Sequence, residues 1–92
     1  MAVLPTSYLP GADYAVRLAE ARRLAASGTG RVVREASDLS MGDVARACGV
    51  QPSTVLRWER NERRPSGDAA LRYLALMHEL SAALPKRMRG AA

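Results

Sequence analysis

The sequence predicts an all-α protein, a small bundle of about five helices, and three observations carry that prediction. Apolar residues recur at helical spacing in successive segments, no run alternates as a strand would, and glycines and prolines separate the segments. The composition agrees, because 48% hydrophobic residues with 4% aromatic and no Phe favours packing by Leu, Val and Ala over a sheet. At 92 residues there is room for one domain built on one core.

Taken in order, residues 1–12 are expected to form an N-terminal arm, since Pro5, Pro10 and Gly11 break regular structure. The arm is either disordered or laid on the body through Val3, Leu4, Tyr8 and Leu9. Asp13 caps or opens a helix that runs to about Ala26, with Tyr14, Leu18, Ala21 and Ala25 as its apolar stripe. Ser27-Gly28-Thr29-Gly30 ends it, and a short helix from about Arg31 to Ser37 should turn Val32, Val33 and Ala36 inward.

The stretch Met41 to Arg60, MGDVARACGVQPSTVLRWER, reads as two short helices joined by a glycine turn. Met41, Val44, Ala45 and Cys48 fall at i, i+3, i+4 and i+7, so that face must be buried, opposite Asp43, Arg46 and Ala47. Ser40 followed by Asp43 is a helix start signal, in which the hydroxyl accepts an orphan backbone N–H and the acid sits near the positive end. Gly49 can take the left-handed conformation that ends a helix, and Pro52 suits the first position of the next, about 52–60. Val55 and Trp58 make the buried edge of that second helix, opposite Gln51, Ser53, Thr54, Arg57 and Arg60. A helix that hides Val and Trp while presenting amides, hydroxyls and guanidiniums near its N-terminus has what is needed to read base edges in a major groove.

This pattern resembles the Cro and lambda-repressor (XRE-like) helix-turn-helix family, with a small residue at the fifth position of the motif (Ala45), glycine at the ninth (Gly49) and an aliphatic residue at the fifteenth (Val55). Trp58-Glu59-Arg60 and Arg63-Arg64-Pro65 are similar to the family's W-E-R-G…R-R-P run, so the likeness covers roughly residues 29–80. It implies a lambda-repressor-like DNA-binding domain with an extra N-terminal helix, spanning 13–84 with the helix-turn-helix at 41–60 and its core at Val44, Ala45, Cys48, Gly49, Val55 and Trp58. The function implied is sequence-specific binding of double-stranded DNA by a small transcriptional regulator of bacterial or phage type. Gln51, Ser53, Thr54, Leu56 and Arg57 are then the base-reading candidates, Arg57 suiting guanine and Leu56 a thymine methyl. Arg60, Arg63, Arg64 and the backbone amides at Ser40 and Met41 are the phosphate candidates.

The resemblance also implies that Arg34 pairs with Glu59. Such a pair is either a solvated surface contact worth about 0–1 kcal/mol or a brace that fixes the reading helix. Three positions depart from the family pattern. Met41 stands in place of a glutamine that braces the recognition helix, Gln51 in place of a capping Ser or Thr, and Asn61 in place of a glycine. Asn tolerates the left-handed conformation better than most residues, so the last change is mild.

Beyond a polar loop from Asn61 to Pro65, Ser66 can cap a last helix that runs to about Leu84, with Ala70, Leu71, Leu74 and Met77 on its core side. Tyr73, Leu76, Leu80 and Leu84 make a second, heptad-like line. Either the extra helix covers it or it is the seam of a homodimer, which would set half-site spacing near one DNA turn. Residues 85–92 are a basic tail.

The net charge is +5, and Lys86 is the only lysine, so the positive charge is almost all arginine. That suits bidentate contact with phosphate or guanine, although a GC-rich genome would also enrich arginine. Cys48 is the only cysteine, so no intrachain disulfide forms, and on an apolar face it is expected to be a buried small hydrophobe. One His and one Cys cannot make a zinc site unaided, and no phosphate loop or catalytic motif appears, so no metal, cofactor, enzymatic activity or small-molecule ligand is expected. There is no 18-residue apolar run, and the expectation is a cytoplasmic protein without a membrane partner.

Two rivals stand beside this reading. An excisionase-like architectural factor shares V-A-R…G-V…S-T-V…R-W-E-R, but such modules continue into a β-wing where this chain continues into a Leu/Ala-rich helix. An antitoxin or adaptor would instead use the residue 73–84 face to hold a protein partner.

Overall fold

The computed structural model describes residues 11–85, and these form five helices with no strand among them. In chain order they are α1 (Ala12–Ala26), α2 (Thr29–Ala36), α3 (Met41–Cys48), α4 (Pro52–Glu59) and α5 (Gly67–Ala83). The expected N-terminal arm up to residue 10 and the basic tail from residue 86 lie outside the described residues. No helix is long and apolar enough to cross a membrane among the described residues.

The last helix is the scaffold. It packs along α1 and against α2 and α3, while α4 rests on α3 and the side of α1. One core joins them, formed by Ala21 and Ala25 of α1, Val33 of α2, Val44, Ala45 and Cys48 of α3, Val55 and Trp58 of α4, and Ala70, Tyr73, Leu74 and Met77 of α5. With so many alanines, the helices approach closely and the volume is filled by two aromatic rings. Trp58 and Tyr73 meet edge to face, ring centres 5.2 Å apart at 68°, a geometry the ring quadrupoles favour.

Several expectations change here. Tyr73 is 1% exposed and belongs to the core, not to a dimer seam. Its ring turns inward because the glycine at position 30 leaves room for it. Gly30 does not end a helix; it is buried in the first turn of α2, and a Cβ there would overlap the Tyr73 hydroxyl. The remaining seam residues, Leu76, Leu80 and Leu84, are half-buried, the first two packed against the core. Val32, expected inward, is 46% exposed because the buried stripe of α2 runs through Gly30, Val33 and Arg34 and leaves Val32 to one side. Leu71 is half-buried beside α1 rather than in the core.

Helix α1 differs too. Its N-cap is Gly11, without a side-chain cap, and Asp13 lies in the first turn paired with Arg17. Tyr14, expected in the stripe, is 40% exposed but uses its hydroxyl to accept the Gly67 N–H at 3.1 Å. That contact serves the start of α5, where Ser66 makes no side-chain cap. Each helix begins with orphan N–H groups that need a partner, and here a neighbouring helix supplies one.

Candidate nucleic-acid interface

The candidate surface is built on α3 and α4. Ser40 and Asp43 form a complete capping box at the start of α3, the Asp43 amide donating to Ser40 Oγ at 3.0 Å and the Ser40 amide to Asp43 Oδ2 at 2.9 Å. The bond from the Ser40 amide and, after it, the Ser40 hydroxyl hold the Asp43 carboxyl below its ordinary value. The Ser40 amide, expected on a phosphate, is therefore occupied. Helix geometry leaves the amides of Met41 and Gly42 without intrahelical partners. Met41 itself is half-buried against the core.

Gly49 ends α3 with φ +73°, a conformation most side chains avoid, and its N–H reaches back to the Ala45 and Arg46 carbonyls. The chain is thereby turned into α4, which has Pro52 in its first turn. Val55 is 0% and Trp58 2% exposed, and with that edge fixed Gln51, Ser53, Arg57 and Arg60 are exposed. Gln51 occupies the N-cap position through its backbone alone, so its amide side chain is not spent on capping. Thr54 and Leu56 are half-buried, on the two flanks of the helix.

Arg34 and Glu59 decide how α4 is held. Arg34 Nε donates to Glu59 Oε2 at 2.6 Å and Nη2 to Oε1 at 3.0 Å, while Nη1 donates to the Leu39 carbonyl at 2.9 Å. One guanidinium thus ties α2, the α2–α3 connection and the end of α4. The side chains are 9% and 5% exposed, so the surface-pair expectation gives way to a buried, bidentate contact. The Glu59 contact raises the Arg34 pKa above its ordinary value.

After α4 the chain reverses through Asn61 at φ +60°. The Glu62 and Arg63 amides donate to the Arg57 carbonyl at 2.9 and 3.3 Å, fixing an exposed loop that carries Arg63 and Arg64. Pro65 is fully buried, and its carbonyl accepts from Arg22 Nε of α1 at 3.0 Å. Among the described residues, Arg57, Arg60, Arg63 and Arg64 pair with no carboxylate.

The structure thus leaves Gln51 exposed at the N-cap of α4 and Ser53 and Arg57 exposed one turn apart along it, with Arg60, Arg63 and Arg64 beyond its C-terminal end. Sequence periodicity missed Arg22, which anchors the loop across 43 residues of chain; no local pattern encodes that contact. Cys48 is buried, and desolvation pushes its thiol up to about 11, which fits an inert core residue. Among the described residues no group of His, Cys, Asp and Glu is placed to hold a metal ion.

The family model described as helix-turn-helix matches residues 31–82, which takes in most of α2 and all of α3 and α4, and reaches the end of α5. Helix α1 lies outside the match. No curated protein and no solved structure matches the chain.

Proposed function

The chain belongs to the Cro/lambda-repressor-like helix-turn-helix family of DNA-binding regulators, a family that is not enzymatic, and we propose that it binds double-stranded DNA sequence-specifically with α4 in the major groove. In this reading Gln51, Ser53 and Arg57 meet base edges, Thr54 and Leu56 add side contacts, and Arg57 takes guanine through paired N–H donors. Arg60, Arg63, Arg64 and the α3 N-terminus at Ser40 and Met41 position the protein on phosphates, the Met41 amide rather than that of Ser40 being free to donate.

The observation that carries the proposal is the orientation of α4: Val55 and Trp58 are buried, and the buried Arg34–Glu59 pair locks its C-terminal end. A rigid helix with amide, hydroxyl and guanidinium groups left facing outward is what base readout requires. We place the protein in the cytoplasm as a transcriptional regulator of bacterial or phage type. We assign the half-buried Leu76, Leu80 and Leu84 of α5 to a two-fold contact, which equilibrium sedimentation tests.

Selection of bound duplexes from a random pool, followed by salt titration of the winner, tests the central proposal. A recurrent motif and affinity that falls steeply with salt are expected. Absence of any salt-dependent duplex binding would overturn it.

A further inference from the structure

We propose that α1 extends this interface with an arginine cleft that seats a backbone phosphate of the bound DNA, beside the groove occupied by α4. The inference rests on the DNA-binding reading above and adds residues outside the family match.

The described arginines sort into two sets. Arg17, Arg31, Arg34, Arg46 and Arg72 each meet a carboxylate, of Asp13, Glu35, Glu59, Asp43 and Asp68 respectively. Arg57, Arg60, Arg63 and Arg64 of α4 and its loop meet none, and the only other unpaired ones described are Arg22 and Arg23 of α1. Arg23 has an acid within helical reach, Glu20, but that carboxylate lies 2.9 Å from His78 Nε2 on α5. Six described arginines are thus uncompensated, and four of them, Arg22, Arg23, Arg63 and Arg64, gather in one region.

That region is concave. Arg22, Arg23, Arg63 and Arg64, with Asn61, line a cleft of about 320 Å³ between α1 and the α4–α5 loop, with Trp58 and Pro65 among its apolar walls and no carboxylate in its lining. A cleft lined by one sign of charge with low-dielectric walls concentrates the potential felt by an anion. Guanidinium forks match the oxygens of a phosphate. The Pro65 carbonyl fixes Arg22 through Nε alone, leaving its two terminal nitrogens unspent.

Continuity with α4 points to DNA as the source of the phosphate. Arg63 and Arg64 also border a second cleft, shared with Val50, Thr54 and Ser66 on the flank of α4. One pair of arginines therefore separates the reading helix from the α1 cleft, so a strand leaving the groove past that pair meets Arg22 and Arg23 next.

The test compares wild type with Arg23→Gln, Arg23→Lys and Arg17→Gln on one selected duplex and on unrelated duplexes over a salt series. Arg23 is exposed and unpaired, so its variants should keep the wild-type melting temperature. Arg23→Gln is expected to flatten the slope of log affinity against log salt by about 0.9, for all sequences alike. Between 50 and 200 mM salt that single contact is worth about a three- to fourfold change in affinity. Arg23→Lys should restore most of the slope, and Arg17→Gln, on the same helix but paired with Asp13, should leave it unchanged.

Sequence-dependent binding by the wild type with an unaltered slope for Arg23→Gln would overturn the cleft assignment and leave the function standing. If the wild type binds no duplex, the function itself fails, and pyrophosphate titrated against Trp58 fluorescence then reads the cleft alone. A saturable change abolished by Arg23→Gln would show a free phosphorylated ligand in place of DNA, and no change would remove the cleft as an anion site; either result overturns the DNA-backbone assignment.

Discussion

Arg34 and Glu59, 25 residues apart, face each other through two hydrogen bonds of 2.6 and 3.0 Å with both side chains more than nine-tenths buried. Removing one partner strands a buried charge. Arg34→Ala and Glu59→Ala are each expected to cost about 3–5 kcal/mol, a large share of the stability of so small a domain. Arg34→Met combined with Glu59→Leu removes both charges and should lose less than either single change. Urea unfolding of the three variants measures this, and strictly additive losses would show that the pair does not act as a unit.

Gly30 and Tyr73 make a second coupled pair. Gly30→Ala drives a methyl group into the Tyr73 hydroxyl and should cost about 1–3 kcal/mol through overpacking. Tyr73 Oη is buried with no hydrogen-bond partner among the described residues, so Tyr73→Phe should hold or raise stability, by up to about 1 kcal/mol. The double variant is expected to recover part of the Gly30→Ala loss. Thermal melts decide it; a strongly destabilised Tyr73→Phe would mean that the hydroxyl has a partner.

Cys48 sets a pH dependence. Its thiol titrates at about 11 in the folded protein against an ordinary value of 9.0, so the folded state holds the proton more tightly than the unfolded chain does. That contribution is fully present below about pH 9 and is lost as pH rises toward 11. Burial raises the Tyr73 phenol as well, with the same sign. Stability measured by urea should decline across that window, less steeply in Cys48→Ala. At pH 8 a thiol reagent should label the native chain only through unfolding, so labelling at the rate of a model thiol would contradict the burial.

Arg57 and Arg63 should separate in DNA binding. Arg57→Ala is expected to cost about 1–3 kcal/mol on the selected duplex and to relax preference at one base pair. Arg63→Ala should weaken all duplexes alike and flatten the salt slope by about 0.9. Identical behaviour of the two variants would show that base reading and phosphate positioning are not divided between α4 and its loop.

Much of the fold is legible in the sequence because it follows from local rules. The spacing of Met41, Val44, Ala45 and Cys48, the Ser40–Asp43 start signal and the Gly49 stop place α3 to the residue. Pro52, Val55 and Trp58 place α4 in the same way. Where local cues were weaker, the expectations slipped. Gly28 and Gly30 look alike as helix breakers, yet only Gly28 has a positive φ, and Gly30 is helical because a distant ring needs its space. Tyr73 lies on a heptad-like line with Leu76 and Leu80, and spacing cannot tell an inward ring from a seam.

By itself, then, the chain determined the helices, the helix-turn-helix register and which edge of α4 is apolar, because capping, turn chemistry and 3.6-residue periodicity act over a few neighbouring residues. Tertiary structure alone decided that Arg34 and Glu59 are buried rather than solvated, that Tyr73 belongs to the core, and that Arg22 and Arg23 come to lie beside Arg63 and Arg64. Those outcomes depend on how closely alanine- and glycine-lined helices approach one another. That distance belongs to the packed assembly and to no single segment of it.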